Sequence, residues 1–159
     1  MRTILASLLM LLAVAHAQAD ELHLVVNGKA YHFSSRNYNE KNYGLGFEYD
    51  FTAHKNWITF VNGSFFKDSF KNTSNYLGAG MKRRYDLQDN PNGWHADVGA
   101  FAFLMTRKDM HDDHPFLGIL PVLSVGKQWF AINVTYIPKT SPKYVSLFFF
   151  QLMFRLAEF

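Results

Sequence analysis

The chain has 159 residues, of which 48% are hydrophobic and 17% aromatic, with no cysteine and a formal charge of +3. That length suits one domain, and the absence of cysteine excludes the disulfide framework that holds many small exported proteins together. The excess of Lys and Arg over Asp and Glu suits an acidic partner, which for an exported chain is a phosphorylated lipid surface and not nucleic acid.

The leader comes first. Met1 and Arg2 make a short positive start, positions 4–15 are an almost unbroken apolar run, and Ala15-His16-Ala17 and Ala17-Gln18-Ala19 both fit a small-x-small cleavage site. Residues 1–19 are therefore expected to be a removed signal peptide. The run falls short of the ~18–20 apolar residues that a spanning helix needs. Residues 20–159 remain as one domain.

Strand-like segments follow at about 22–33, 44–52, 57–66, 75–87, 94–105, 119–126, 129–137 and 144–156, eight in all, separated by turn chemistry. The connections alternate between longer polar loops (34–43, 67–74, 106–118, 138–143) and shorter turns such as 53–56, Lys127-Gln128 and the Asn- and Pro-rich 88–93. Short periplasmic turns and longer outside loops are the habit of outer-membrane barrels. The predicted fold is all-β: an eight-stranded antiparallel up-and-down transmembrane β-barrel, with the longer loops facing outward.

The faces agree with this. In the seventh segment Phe130, Ile132, Val134 and Tyr136 share one side, and Ala131, Asn133 and Thr135 the other. In the last, Phe148, Phe150, Leu152, Phe154 and Leu156 face away from Leu147, Phe149, Gln151, Met153 and Arg155. A lipid-facing exterior and a smaller, more polar interior produce such alternation. The fifth segment is apolar on both sides, through Ala100, Ala102 and Leu104 against Gly99, Phe101, Phe103 and Met105. The upper interior is then either a packed plug or an acyl-chain slot. On the fourth segment Tyr76, Gly78, Gly80, Lys82 and Arg84 share a face, which suggests an open interior above a charged one, or glycines that relieve crowding in a small barrel. Phe159 fits the terminal aromatic of outer-membrane barrels, but its parity is opposite to that of Phe154 and Leu156.

Several collinear stretches resemble the lipid A palmitoyltransferase family. They are Tyr38-Asn39-Glu40 before Gly44-Leu45-Gly46-Phe47, Phe66-Lys67-Asp68-Ser69-Phe70, Gly78 with Gly80, and Pro121, Ser124-Val125-Gly126 and Thr135-Tyr136-Ile137-Pro138, together with His32 at the end of the first segment. The resemblance implies an outer-membrane acyltransferase that moves a palmitoyl chain from a glycerophospholipid donor to a lipid A acceptor, without a cofactor or metal. It implies catalytic roles for His32, Asp68 and Ser69, a floor of the acyl slot at Gly80, and lateral lipid access where Pro121 and Pro138 weaken strand pairing. By position, His32 ends the first strand and Asp68-Ser69 opens the second outward loop, so all three belong at the outer rim. One arrangement has His32 as general base, Ser69 as nucleophile or oxyanion donor, and Asp68 orienting the imidazole.

The chain departs from the family pattern in two places. Few residues precede the first strand where the family has an amphipathic helix, and Asn27 and Asn42 stand near the places of two prolines at the first-to-second-strand opening. These departures favour the alternative of a non-catalytic barrel of the same lineage. A lipid A or phospholipid hydrolase that uses water as acceptor is a third reading. The outward loops carry Arg36, Lys41, Lys67, Lys71, Arg107, Lys108, Lys139 and Lys143, a positive balance suited to lipid phosphates. The cluster Asp109-Met110-His111-Asp112-Asp113-His114 has metal-capable side chains but no helix to fix them, and is read as a solvated or headgroup-facing loop. A monomer is expected.

Overall fold

A computed structural model describes residues 20–34, 36–90, 93–110, 114–139 and 145–159. The predicted leader at 1–19 lies outside these residues, as do His111, Asp112, Asp113 and Lys143 of the outward loops. Eight strands follow one another: β1 (Glu21–His32), β2 (Lys41–His54), β3 (Trp57–Lys67), β4 (Thr73–Asp86), β5 (His95–Thr106), β6 (Phe116–Lys127), β7 (Phe130–Ile137) and β8 (Leu147–Glu158). Each is antiparallel to the next, and β8 pairs with β1 to close the barrel. Closure joins the first strand to the last and satisfies most of the backbone within the wall, the condition for a sheet to sit in hydrocarbon. Among the described residues no helix is long and apolar enough to cross a membrane.

All eight predicted segments appear, with ends shifted by up to three residues, so that Lys41 and Phe116 to Gly118, expected in loops, begin β2 and β6. Ala131, Asn133 and Thr135 point inward on β7, and Leu147, Phe149, Gln151 and Met153 on β8. The outer wall exposes Leu45, Leu77, Leu104, Leu117, Ile119 and Leu152, a belt that only lipid would cover. Trp57, Tyr85, Trp94 and Trp129 ring the end that holds both termini, and Tyr31, Tyr43 and Tyr136 ring the other. Amphipathic rings at both rims fit the two membrane interfaces.

The tightest turn joins β2 to β3. Lys55 and Asn56 both take positive φ, 52° and 67°, the pair of left-handed residues that a two-residue hairpin turn requires. The parity of Phe159 has a structural cause. Along the β1–β8 seam, Leu22 faces Ala157 while His23 faces Arg155, so one residue of β8 is bulged out. The extra residue reverses the side-chain parity beyond it. Phe159 thus emerges exposed beside Tyr49, with ring centroids 6.4 Å apart, and its N–H donates to the Asp20 carbonyl.

The interior has three tiers. At the termini end, Lys82 lies 2.6 Å from Glu48 and 2.8 Å from Asp50, and Arg84 makes two 2.9 Å bonds to Asp97. Midway, Gln151 donates to Asn27 Oδ1 and to the Tyr76 hydroxyl, and Asn27 donates to Ser64. Phe60, Phe101 and Phe103 fill the space beside this network. At the loop end, Ala30, Phe66, Leu147 and Phe149 form an apolar cluster.

Candidate active site

His32 is the last residue of β1, and the Asp68–Asn72 turn between β3 and β4 brings Ser69 against it. His32 Nε2 and Ser69 Oγ are 2.8 Å apart. The imidazole is stacked on Tyr38, with centroids 4.6 Å apart and planes 14° from parallel, and Tyr38 in turn meets the edge of Phe70. The ring is thereby clamped between its own strand and two loops. Its Nδ1 is buried with no hydrogen-bond partner among the described residues.

Asp68 sits beside this pair but does not bond to the imidazole. Its carboxylate is 1% exposed. Oδ1 accepts the N–H groups of Phe70 and Asn72 at 2.8 and 2.9 Å, and Oδ2 accepts the Ser74 hydroxyl at 3.1 Å. These bonds fold the turn on itself and carry Lys71 into a left-handed conformation at φ 67°. The carboxylate therefore acts on His32 through the loop that holds Ser69, and the direct contact expected from the sequence is not the one formed. Asn39 supplies a second brace: its Nδ2 donates to the Asp68 carbonyl and its backbone N–H to the Ser69 carbonyl, both at 2.9 Å. Asn42 donates to the Lys67 carbonyl at 2.7 Å. Tyr38, Asn39 and Asn42 belong to the site without having been singled out as site residues. The only sequence signal was the Tyr-Asn-Glu stretch.

The His32–Ser69 pair stands at the mouth of a cavity of about 250 Å³ inside the loop end of the barrel. Phe66, Phe103, Met105, Leu147 and Phe149 line its apolar wall, and Ile119, Leu120, Ile137 and Pro138 line the side at the β6–β7 seam. That seam is incomplete. Its ladder runs only from Lys127↔Phe130 to Leu123↔Val134, although β6 continues to Phe116 and β7 to Ile137. Pro121, exposed on the outer wall, has no N–H to extend the ladder. Pro138 directly follows the end of β7. The β1–β2 seam stays paired through a bulge as far as Lys29↔Lys41.

Gly80 lies one layer beneath the cavity and does not line it. It pairs with Phe60 on β3 and Phe101 on β5, and a Cβ there would stand 2.6 Å from atoms of both side chains. The space above Gly78 and Gly80 is thus taken by Phe103 and Phe101, whose rings are 5.1 Å apart. Gly118 plays the matching part on β6: a Cβ there would meet the Phe103 ring at 2.4 Å. Phe103, resting on Gly118, is the floor of the cavity as it stands. On the outward loops, Arg107 is held by a two-bond ion pair with Asp109 and borders the cavity.

Over residues 15–152 the chain matches the family described as antimicrobial peptide resistance and lipid A acylation protein PagP. The chain belongs to this family. It is similar to the lipid A acyltransferase PagP of Methylobacillus flagellatus, with 32% identity over 102 residues. That match takes in 64% of this chain and about half, 53%, of the relative's length. Among solved structures it is similar to the crystal structure of Ail, the attachment invasion locus protein of Yersinia pestis, with a TM-score of 0.46 and 8% identity over 89% of this chain and 100% of that one. The nanodisc backbone structure of Ail gives a TM-score of 0.46 and 10% identity over 86% and 99%. PagP family membership and the closed barrel with its apolar outer belt place the protein in the outer membrane.

Proposed function

We propose that this protein is an outer-membrane acyltransferase that moves a palmitoyl chain from a glycerophospholipid to lipid A. The observation that carries the reading is the His32–Ser69 hydrogen bond at the mouth of an apolar cavity that borders an unzipped seam of the wall. A donor lipid would enter through that seam, between Pro121 and Pro138, and lay its acyl chain along Phe66, Leu147 and Phe149. Its ester carbonyl would then lie at the rim, beside Ser69.

The chemistry follows from the groups present. An acceptor hydroxyl attacks the ester carbon as His32 Nε2 takes its proton, while the Ser69 hydroxyl turns to donate to the carbonyl oxygen as charge develops there. Collapse of the tetrahedral intermediate breaks the bond to the lysophospholipid oxygen, and the proton on His32 passes to that leaving oxygen. A direct transfer is favoured over an acyl-serine because, among the described residues, no carboxylate supports Nδ1, the support that a serine–histidine–aspartate nucleophile relies on. Asp68 keeps Ser69 in place. Gly80 sets the depth of the slot by seating Phe101, on which Phe103 rests. The phosphates of lipid A would meet Arg36, Lys41 and Lys71 on the exposed loops.

Mass spectrometry of lipid A from cells expressing this chain tests the reading, with Ser69→Ala as control. A gain of one palmitoyl group that disappears in the control is the expected result. No gain and no released fatty acid, from a barrel shown to be folded in the outer membrane, would establish the non-catalytic alternative. Release of free fatty acid without acylated lipid A would establish the hydrolase.

A further inference from the structure

At the opposite end of the barrel from His32 lies a second cavity, of about 370 Å³, with a polar lining. Three of its side chains are arranged by strand register. Glu21 and Asp50 face each other across the β1–β2 ladder, and His23 is two residues along β1, on the same inward face. One nitrogen or oxygen from each lies within 4.8 Å of the other two, and His23 Nε2 stands 3.2 Å from Glu21 Oε2. The 3.2 Å separation is that of neighbouring ligands around one small cation, and the third donor is close enough to be drawn in by one.

The neighbouring charges leave these donors available. Arg155 takes the other Glu21 oxygen, Oε1, at 3.0 Å. Arg84 is committed to Asp97, and Lys82 lies between Glu48 Oε1 and Asp50 Oδ2. Asp50 is only 4% exposed, lines the cavity, and its Oδ1 has no hydrogen-bond partner among the described residues. His23 is 6% exposed and its Nδ1 is likewise unpartnered. A buried carboxylate oxygen without a partner is costly unless something binds there, and Asp50 Oδ1 is such an atom.

We propose that Glu21, His23 and Asp50 form a divalent transition-metal site, with zinc as its preferred occupant, at the periplasmic mouth of the barrel. One imidazole nitrogen and two carboxylate oxygens, with water completing the shell, suit zinc better than magnesium or calcium, which prefer all-oxygen sites. Around the site Glu21, Glu48, Asp50, Asp97 and Glu158 outnumber Lys82, Arg84 and Arg155, so the surroundings keep negative charge for the ion. The ion staples the start of β1 to the end of β2, so that binding draws the equilibrium toward the closed barrel.

The test uses the full mature barrel, untagged and refolded in detergent micelles. Zinc chloride binding is measured by calorimetry, and cobalt chloride binding by the visible absorption of the bound ion. One equivalent is expected to bind and to raise the unfolding temperature. Asp50→Asn and His23→Ala should each weaken binding on the order of a hundredfold, while His114→Ala, in the outer loop, should bind as the parent does. Folding is checked by heat-modifiable gel migration, and Glu21→Gln replaces any variant that fails this check. No binding by the parent, retained affinity in either folded ligand variant, or loss of binding in His114→Ala would overturn the proposal.

Discussion

The two ends of the barrel interior are built from the same strands to opposite ends. At the end where β1 begins and β8 ends, inward positions carry Glu48, Asp50, Lys82, Arg84 and Asp97, locked in ion pairs. At the outer end they carry Ala30, Phe66, Leu147 and Phe149 around a cavity, with one polar pair, His32 and Ser69, at its mouth. The wall differs in the same sense. Around the charged end the seams stay paired apart from single irregularities at Leu22/His23 and Phe51/His54, whereas β6–β7 loses its pairing beside the cavity. A buried charge network tolerates little movement, since each ion loses several kcal/mol, as an order of magnitude, if its partner leaves. An apolar slot loses little when a neighbouring chain slides in. One end therefore holds the barrel rigid so that the other can stay partly open.

The strongest test of this division acts on the polar pair. His32→Ala or Ser69→Ala should lower lipid A acylation by about 10²–10⁴-fold, the usual range for a positioned acid–base group. Both variants should still show the heat-modifiable migration of a folded barrel, because neither residue joins the charge network. A matching loss of folded protein would mean that the outer end also supports the fold.

The seam can be locked directly, because the chain has no cysteine of its own. Extending the β6–β7 register by two residues would set Pro121 against Tyr136. A Pro121→Cys, Tyr136→Cys pair should lose acylation when oxidised and recover it on reduction, read by lipid A mass spectrometry. Activity that survives a verified cross-link would place lipid entry elsewhere.

At the charged end, Lys82→Met should have the reverse signature. It leaves Glu48 and Asp50 buried without their cation, and should cost about 3–5 kcal/mol of stability, measured by urea unfolding in micelles. The activity of the fraction that remains folded should change little.

Smaller effects are expected from the residues that shape the slot. Asp68→Ala removes three hydrogen bonds of the Ser69 turn, each contributing about 0.5–1.5 kcal/mol. It should reduce acylation while leaving the choice of acyl chain unaltered. Gly80→Met should push on Phe60 and Phe101 and shorten the accepted chain. Gly118→Ala should raise Phe103 into the cavity with the same result. Unchanged chain selection in both variants, by mass of the product, would remove the aromatic layer as the depth gauge.

Much of this was legible in the residues before any fold was known. The alternation in β7 and β8 assigned each side chain to lipid or interior, because pleating is a local property with a period of two. The lengths of the connections placed His32 at one end of β1 and Ser69 in the adjoining outer loop, which suffices to bring them to one rim. What the residues could not reveal are contacts that depend on closing the ring. The sequence does not say that Asp68 spends its oxygens on Phe70, Asn72 and Ser74 rather than on His32. Nor does it choose between an open interior and crowding relieved by glycines at Gly78 and Gly80, a choice made by Phe103 and Phe101, whose side chains stand against them. The parity of Phe159 was puzzling from sequence because a single bulged residue in β8, seen only in the pairing with β1, reverses it. The cation at position 82 was visible, but its meeting with Glu48 and Asp50 across 34 and 32 residues of chain was not. The sequence by itself determined the strands, their faces and the end of the barrel at which chemistry could occur, since these follow from local periodicity and turn chemistry. The tertiary structure alone decided which seam stops short, which rings fill the interior and which charges meet, because register and interior contacts are set by all eight strands closing together.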